Sequence, residues 1–337
     1  MTCEHSGTGF WKNRKVFVTG CTGLLGSHLS ESLVVLGAEV TGLIRDQIPR
    51  NYLSMSNTIQ RMNVVNGDVE DYDLIERILN EYEIQTIFHL AAQTIVGTAN
   101  RNPLSTFSTN INGTWNILEA ARRNTNITEI LIASSDKAYG ASVNLPYNED
   151  TPLRGSHPYD VSKSCADLLA QSYFATYQLP VAITRCGNLF GAGDLNFNRL
   201  IPGTIRSIYN NISPEIRSDG KSTRDYIYVK DAVNAYTALA ANLSTSDSIR
   251  GQAFNVSYES PMSAIDVVTT ILTLTDQSNL NPKILDQAIN EIPHQFLNSK
   301  KFRTILKWAP NYTFESGMRE TLMWYKSFFE DRITNDT

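Results

Sequence analysis

Long apolar runs are missing from this 337-residue chain. No stretch approaches the roughly 20 consecutive apolar residues that a membrane-spanning helix needs. The opening residues, Met1-Thr2-Cys3-Glu4-His5, lack the basic and apolar regions of a secretory signal. A basic excess is also missing. The formal net charge is -5 with Lys and Arg scattered, which argues against nucleic acid or an anionic membrane as the main partner. Cysteine is scarce. Cys3, Cys21, Cys165 and Cys186 show no metal-type spacing, so free thiols in the cytoplasm and no bound metal are expected. Triplets such as Asn126-Ile127-Thr128 then imply no glycan. Internal repeats and low-complexity tracts are lacking as well.

What is present suits a globular protein of two lobes. The hydrophobic fraction is 42%, enough to bury a large core. Residues 1–14 read as a polar N-terminal tail. Short β-branched runs follow at 15–19, 39–44, 62–65, 86–90, 130–133 and 181–184. Helical spacing lies between them, at 24–36, 72–83, 103–123 and 159–177. This alternation predicts an α/β fold with a doubly wound parallel sheet of the Rossmann type. The pattern loosens after Phe190, where Gly191-Ala192-Gly193-Asp194 is a loop signal. The expected division is a dinucleotide-binding domain over 15–189, to which 225–250 returns. A smaller mixed α/β substrate lobe is expected from 190–224 and 251–337.

Gly20-Cys21-Thr22-Gly23-Leu24-Leu25-Gly26 ends the first strand and opens the first helix. Glycines there permit a tight turn and close approach to a pyrophosphate. The N–H groups and dipole of the helix start then face the anion. This strand–turn–helix context supports dinucleotide binding over an ordinary turn. At the end of the second strand the sequence is Ile44-Arg45-Asp46. NAD binders place an acid there for the ribose diol, whereas a 2′-phosphate calls for a cation. Arg45 therefore favours NADP, and Asp46 keeps NAD open. Asp68 and Val69, after the third strand, are candidates to meet the adenine.

Tyr159 and Lys163 stand four residues apart, a spacing that places both on one helix face. With Gly20 to Gly26, His89-Leu90-Ala91-Ala92 and Asn110 to Thr114 in order, the chain resembles the extended short-chain dehydrogenase/reductase superfamily. Within it, the resemblance is to the sugar-nucleotide epimerase/dehydratase branch and covers nearly all of 15–330. The resemblance implies that Tyr159 takes a proton from a sugar hydroxyl while the nicotinamide takes the hydride. It also implies that Lys163 lowers the Tyr159 pKa, that Ser135 bonds the same sugar oxygen, and that Ala91 and Ala92 meet the cofactor.

Asp136-Lys137, directly after Ser135, resembles the Asp-Lys pair of CDP-glucose and certain UDP-N-acetylglucosamine dehydratases. In 4,6-dehydration, oxidation at C4 acidifies the C5 hydrogen, a base removes it and an acid protonates the departing C6 hydroxyl. The expectation is that Lys137 acts at C5 and Asp136 at C6, with hydride returning to C6. Gln93 and Asn188 match family positions on the substrate side, and Arg199 and Arg224 suit a diphosphate. Asn110 reads as orienting at least as much as catalytic. His294 has no evident partner.

The sequence thus predicts an NADP-dependent NDP-hexose 4,6-dehydratase, a homodimer by resemblance. An epimerase or 4-keto reductase of the same fold is the alternative, since neither needs Asp136-Lys137. A cofactor-sensing regulator fits poorly, because such proteins commonly lack the Tyr or the Lys.

Overall fold

A computed structural model of the protein describes residues 8–287 and 292–335. Seven strands form its main sheet: β1 (Lys15–Thr19), β2 (Glu39–Ile44), β3 (Asn63–Asn66), β4 (Thr86–His89), β5 (Glu129–Ala133), β6 (Val181–Cys186) and β7 (Ala253–Val256). Their order is β7-β6-β5-β4-β1-β2-β3. Every neighbouring pair is parallel. The chain winds outward to β3 and then returns past β1 to β4. That reversal opens a crevice beyond the carboxyl ends of β1 and β4.

Successive strand residues point to opposite faces, and here both faces are apolar. Val16 and Val18 join one core cluster with Phe88 and Leu131, while Phe17 joins the other with Ile87 and Ile130. Helices α1 (Leu24–Val35) and α6 (Val229–Leu243) pack together against the first face. Helices α2 (Tyr72–Glu81), α3 (Gly113–Arg123) and α4 (Pro158–Tyr177) cover the second. A bidentate ion pair inside the core ties α4 to β6. Arg185 Nε and Nη2 donate to Asp167 Oδ2 and Oδ1 at 2.8 and 2.9 Å.

Smaller elements build the second lobe. Asn188–Phe190 pairs with Tyr226–Tyr228. Thr223–Arg224 lies between Met262–Ser263 and His294–Gln295. Helices α5 (Leu200–Tyr209) and α7 (Ala264–Leu274) pack over Ile216, and α8 (Phe314–Asn335) follows.

Two features depart from the sequence expectations and a third gains a detail. Strand β7, within the 251–337 stretch expected in the substrate lobe, pairs with β6 and extends the main sheet. The expected N-terminal tail is partly folded. Thr8–Trp11 is one helical turn and Trp11 is buried beside Phe88, which removes a large aromatic from water. Residues 1–7, including Cys3, lie outside the described residues. Finally, the helix expected over 103–123 is continuous but carries a π-helical turn. A helical turn at Pro103–Phe107 leads into a π-helical turn at Ser108–Asn112 before α3 begins.

Candidate active site

A cleft of about 940 Å³ runs from the glycine-rich turn to the second lobe. Gly20, Gly23, Leu24, Leu25 and Gly26 line one end. A Cβ on Gly26 would stand 2.1 Å from the Gly20 carbonyl oxygen. Gly20 itself has φ +70°, and a Cβ there would stand 2.8 Å from Ala91 N. Only glycine lets α1 begin so close under this turn. The residues present therefore fit a dinucleotide: a cradle of backbone N–H groups at a helix start, with room for phosphates against it. Arg45, Asp68, Val69, Ala91 and Ala92 line the same end.

Arg45 is not a free cation. Its Nε donates to Asp46 Oδ2 at 2.7 Å, and Asp68 and Glu70 add negative potential around it. The Asp46 bond is the first cause of the raised Arg45 pKa. Cys21, inside the turn, faces inward. Its Sγ lies 3.5 Å from the Leu43 carbonyl, and burial pushes the thiol up to about 12.

At the centre of the cleft, Ser135, Asp136, Lys137, Tyr159 and Lys163 all meet. Ser135 caps a 3₁₀ turn at Asp136–Tyr139, accepting from Lys137 N at 3.2 Å. Its hydroxyl donates to Asp136 Oδ1 at 3.0 Å. Asp136 is 2% exposed, and its Oδ2 has no hydrogen-bond partner. A solvated loop pair is thereby ruled out. Such a buried carboxylate oxygen costs free energy unless a ligand donor meets it. The Lys137 ammonium donates to Gln295 Oε1, and Gln295 Nε2 donates to the Asp136 carbonyl at 3.0 Å.

Tyr159 and Lys163 both line the cleft. Lys163 Nζ donates to the Ala133 carbonyl at 2.7 Å. Burial lowers the Lys163 pKa to about 8, against a smaller upward pull from Asp167. Tyr159 is pushed up to about 12, first by burial, with the Asp136 charge adding to it and Ser135 and Arg199 opposing. Burial outweighs the opposing pull of Ser135 and Arg199, so the phenol is held above its ordinary value.

Behind the site, polar groups form a chain. Thr19 Oγ1 meets His89 Nδ1 at 2.9 Å, His89 Nε2 meets Thr114 Oγ1 at 3.1 Å, and Thr114 donates to the Asn110 carbonyl at 2.6 Å. Burial, aided by Lys163, lowers His89 to about 3, so the ring is neutral. Asn110 sits in the π-helical turn. Its Oδ1 accepts from Gln93 N at 2.7 Å, and its Nδ2 donates to Gln93 O at 3.2 Å and Ser162 Oγ at 2.8 Å. The extra backbone residue of the π turn aims this amide at both the β4 loop and α4.

The substrate-side candidates divide. Asn188 and Arg199 line the cleft. Arg199 Nη1 donates to Asp194 Oδ2 at 3.0 Å and Nη2 to Thr94 Oγ1 at 3.3 Å, joining the lobes. Gln93 and Arg224 are not among the lining residues. The Gln93 Oε1 accepts from Ile95 N at 3.0 Å. Arg224 is buried, with Nη1 on the carbonyls of Thr223 and Pro293 at 2.8 and 3.1 Å. His294 is exposed and meets Thr223 Oγ1 at 2.9 Å. Arg101, Asn198 and Arg217 line the cleft without having been singled out, and Arg217 Nη2 donates to Asn198 Oδ1 at 3.2 Å. No motif surrounds Arg217. Only the pairing of Glu215–Ile216 with Lys283–Ile284 places it there.

The family model described as GDP-mannose 4,6 dehydratase matches residues 17–321. The chain belongs to this family. The match fits the extended short-chain dehydrogenase/reductase fold and marks the protein as an enzyme of the sugar-nucleotide branch. A CDP-glucose 4,6-dehydratase of Salmonella typhimurium is 29% identical, covering 95% of this chain and 92% of its own. A UDP-N-acetyl-alpha-D-glucosaminuronate decarboxylase of Bacillus cytotoxicus is 28% identical over 94% of this chain and 99% of its own. Among solved structures, a dTDP-glucose 4,6-dehydratase from Bacillus anthracis in complex with NAD superposes with TM-score 0.83 at 25% identity, covering 93% and 97% of the two chains. A UDP-N-acetylglucosamine 4-epimerase from Methanobrevibacter ruminantium also gives 0.83, at 28% identity over 94% and 99%. In this GDP-mannose 4,6-dehydratase family member a nicotinamide dinucleotide is the supported cofactor. The described residues contain no helix long and apolar enough to cross a membrane.

Proposed function

We propose that the protein is an NDP-hexose 4,6-dehydratase that forms an NDP-4-keto-6-deoxyhexose. The observation that carries this reading is the buried Asp136 carboxylate, with Oδ2 unpartnered, beside Lys137 in the Tyr159 cleft. Epimerisation gives such an acid nothing to do, whereas elimination of water requires a proton donor at C6.

A bound nicotinamide dinucleotide supplies reversible hydride acceptance. Tyr159, aided by the Ser135 hydroxyl, removes the proton of the C4 hydroxyl. Lys137, as the free amine, removes the C5 proton. Asp136, as the carboxylic acid, delivers a proton to the C6 oxygen, which leaves as water, and the proton that Tyr159 took restores the acid before the next turnover. The hydride taken from C4 is returned to C6 and a proton to C5, so the sum is loss of one water. Lys163 holds its place through Ala133. Asn188, Arg199 and Arg217 offer donors for the diphosphate, Arg217 taking the place expected for Arg224.

For the cofactor, the reading moves from NADP to NAD. The Arg45 guanidinium is already met by Asp46, and a 2′-phosphate dianion would face Asp46 and Asp68 as well. Titration with each dinucleotide tests this. NAD binds more tightly in the wild type, and Asp46→Ala improves NADP affinity by about tenfold by releasing Arg45. Tighter NADP binding by the wild type overturns it.

Incubation with a panel of sugar nucleotides tests the reaction. A 4-keto-6-deoxy product is expected, with Lys137→Ala retaining cofactor and forming little product. An isomer at C4 or C5, a decarboxylated sugar, or consumption of added NADPH refutes dehydration. The buried, free thiols Cys21 and Cys186 accord with residence in the reducing cytoplasm. Self-association through the 103–123 and α4 region completes the proposal. Leu104, Trp115 and Leu168 are 78%, 46% and 54% exposed there.

A further inference from the structure

Gln295 lies 158 residues from Lys137 in sequence, yet the Lys137 ammonium donates to its side-chain oxygen. The Gln295 side chain is fully buried, and its Nε2 donates to the Asp136 carbonyl at 3.0 Å. One amide thus grips both residues of the Asp-Lys pair. Its orientation is set by chemistry: an ammonium only donates and a carbonyl only accepts, so Oε1 must face Lys137 and Nε2 must face Asp136 O.

The segment carrying Gln295 is itself fastened on two sides. Gln295 pairs in register with Arg224 on the Thr223–Arg224 strand. Two residues on, Leu297 N donates to Asp225 Oδ2 at 2.7 Å. On the other flank, Tyr147 N donates to Phe296 O at 3.0 Å and Asn298 N donates to Tyr147 O at 2.8 Å. An amide mounted on a doubly paired segment cannot swing away when the cleft fills.

We propose that Gln295 is the positioning residue for Lys137: it directs the amine at the C5 hydrogen and holds the Asp136 turn at C6. This rests on the dehydratase reading above. The physical reason is the geometry of the amine. A neutral lysine keeps two N–H bonds and one lone pair. Committing one N–H to Gln295 Oε1 restricts the lone pair to the two remaining staggered positions on Nζ. Loss of that acceptor removes this restriction, and the near-attack arrangement is populated less.

The Lys137 ammonium lies within electrostatic reach of Asp160 on α4, which also feels His157 at the helix start and Asp136. Asp136 in turn acts on Tyr147, Tyr159 and Asp225, with Arg224, Arg199 and Glu259 acting on those same groups. A carboxylate placed at 295 would add to this set a full negative charge in contact with Lys137, and would hold its proton to higher pH.

The experiment compares full-length wild type with Gln295→Leu, Gln295→Glu and Lys137→Ala, each bound to cofactor. It uses the NDP-hexose that the wild type dehydrates. Three rates are followed against pH: C4 oxidation by the absorbance of reduced nicotinamide, exchange of the C5 hydrogen with solvent deuterium, and 4-keto-6-deoxy product. Gln295→Leu is expected to leave C4 oxidation intact and slow C5 exchange and product by about tenfold or more. Gln295→Glu, which keeps the shape, is expected to move the basic requirement upward by about one pH unit and to recover rate there. Wild-type C5 exchange in Gln295→Leu with an unmoved profile in Gln295→Glu overturns the proposal. So does equal loss of C4 oxidation and C5 exchange, which marks a merely structural role. A wild type that dehydrates no sugar nucleotide overturns the dehydratase reading, and this proposal with it.

Discussion

Lys163 is a cation buried at cost. Its pKa falls from 10.5 to about 8 on folding without cofactor, because burial disfavours the charged form. The sign of the linkage follows. Below about pH 8 both folded and unfolded chains are protonated, and the full cost is present. Between about 8 and 10.5 the unfolded chain binds more protons, so stability contributed at this residue rises with pH. Lys163→Met removes the effect. Wild type, measured ligand-free by thermal melting, should therefore gain on Lys163→Met between pH 8 and 10, by an amount on the order of 2 kcal/mol. Parallel melting curves across that range would contradict the assignment. The raised Tyr159 has a related meaning. A phenol at about 12 needs help before it can take a proton at neutral pH. Binding of a dinucleotide and sugar beside Tyr159 is where that help must enter. That these two residues share one helix face was legible in the sequence, since four-residue spacing fixes it, and both line the cleft. The present partner of Lys163, a main-chain carbonyl on β5, was not, because spacing says nothing about which oxygen an ammonium chooses.

Among elements, the helix over 103–123 with its π turn carries the most weight. Apolar spacing there reads as one helix, and the two flanking pieces bear that out. The π turn between them is invisible to periodicity, because it inserts backbone without changing which residues are apolar. Its product is Asn110, whose side chain serves Gln93 and Ser162 at once. Asn110→Ala leaves the Gln93 N–H without its acceptor. The expected loss is about 2–4 kcal/mol of stability, read from chemical denaturation, as two to three hydrogen bonds go. Cofactor binding and turnover should both fall, since the loosened loop lies beside Ala91 and Ala92 at the dinucleotide end of the cleft. An unchanged denaturation midpoint would show that the turn holds itself. Strand and helix order in the first lobe was readable for a simpler reason. Strands with both faces buried are short continuous apolar runs, and a glycine ends the first of them. Edge strand β7 escaped because Ala253-Phe254-Asn255-Val256 is four residues with a polar one inside, and its place depends on β6 rather than on its own pattern.

For the whole molecule, the first lobe follows local rules and the second does not. Its strands are two or three residues long, and each exists only through a partner far along the chain. Arg217 and Gln295 were therefore beyond reach of motif reasoning, while Tyr159, Lys163 and the glycine turn were within it. Arg224 shows the converse: an arginine in a suggestive string whose guanidinium is bonded to carbonyls of the 223–224 and 293 backbone. The assembly prediction also belongs to this scale. Trp115, Leu104 and Leu168 present apolar surface from adjacent helices. Trp115→Glu should shift the sedimentation coefficient from dimer to monomer while leaving the circular dichroism spectrum unchanged. A wild type that sediments as a monomer at micromolar concentration would remove the interface.

The C-terminal helix α8 has a reach that its distance in sequence conceals. The Tyr325 hydroxyl donates to the Asp194 carbonyl, and the Asp194 carboxylate is the anchor of Arg199, which extends to Thr94 on the opposite rim. A chain shortened at Met323 would keep every residue of the cleft and still lose the fastening behind Arg199. Expression engineering that trims this end for crystallisation or fusion would thus disturb how the rim is held, with the reacting groups untouched.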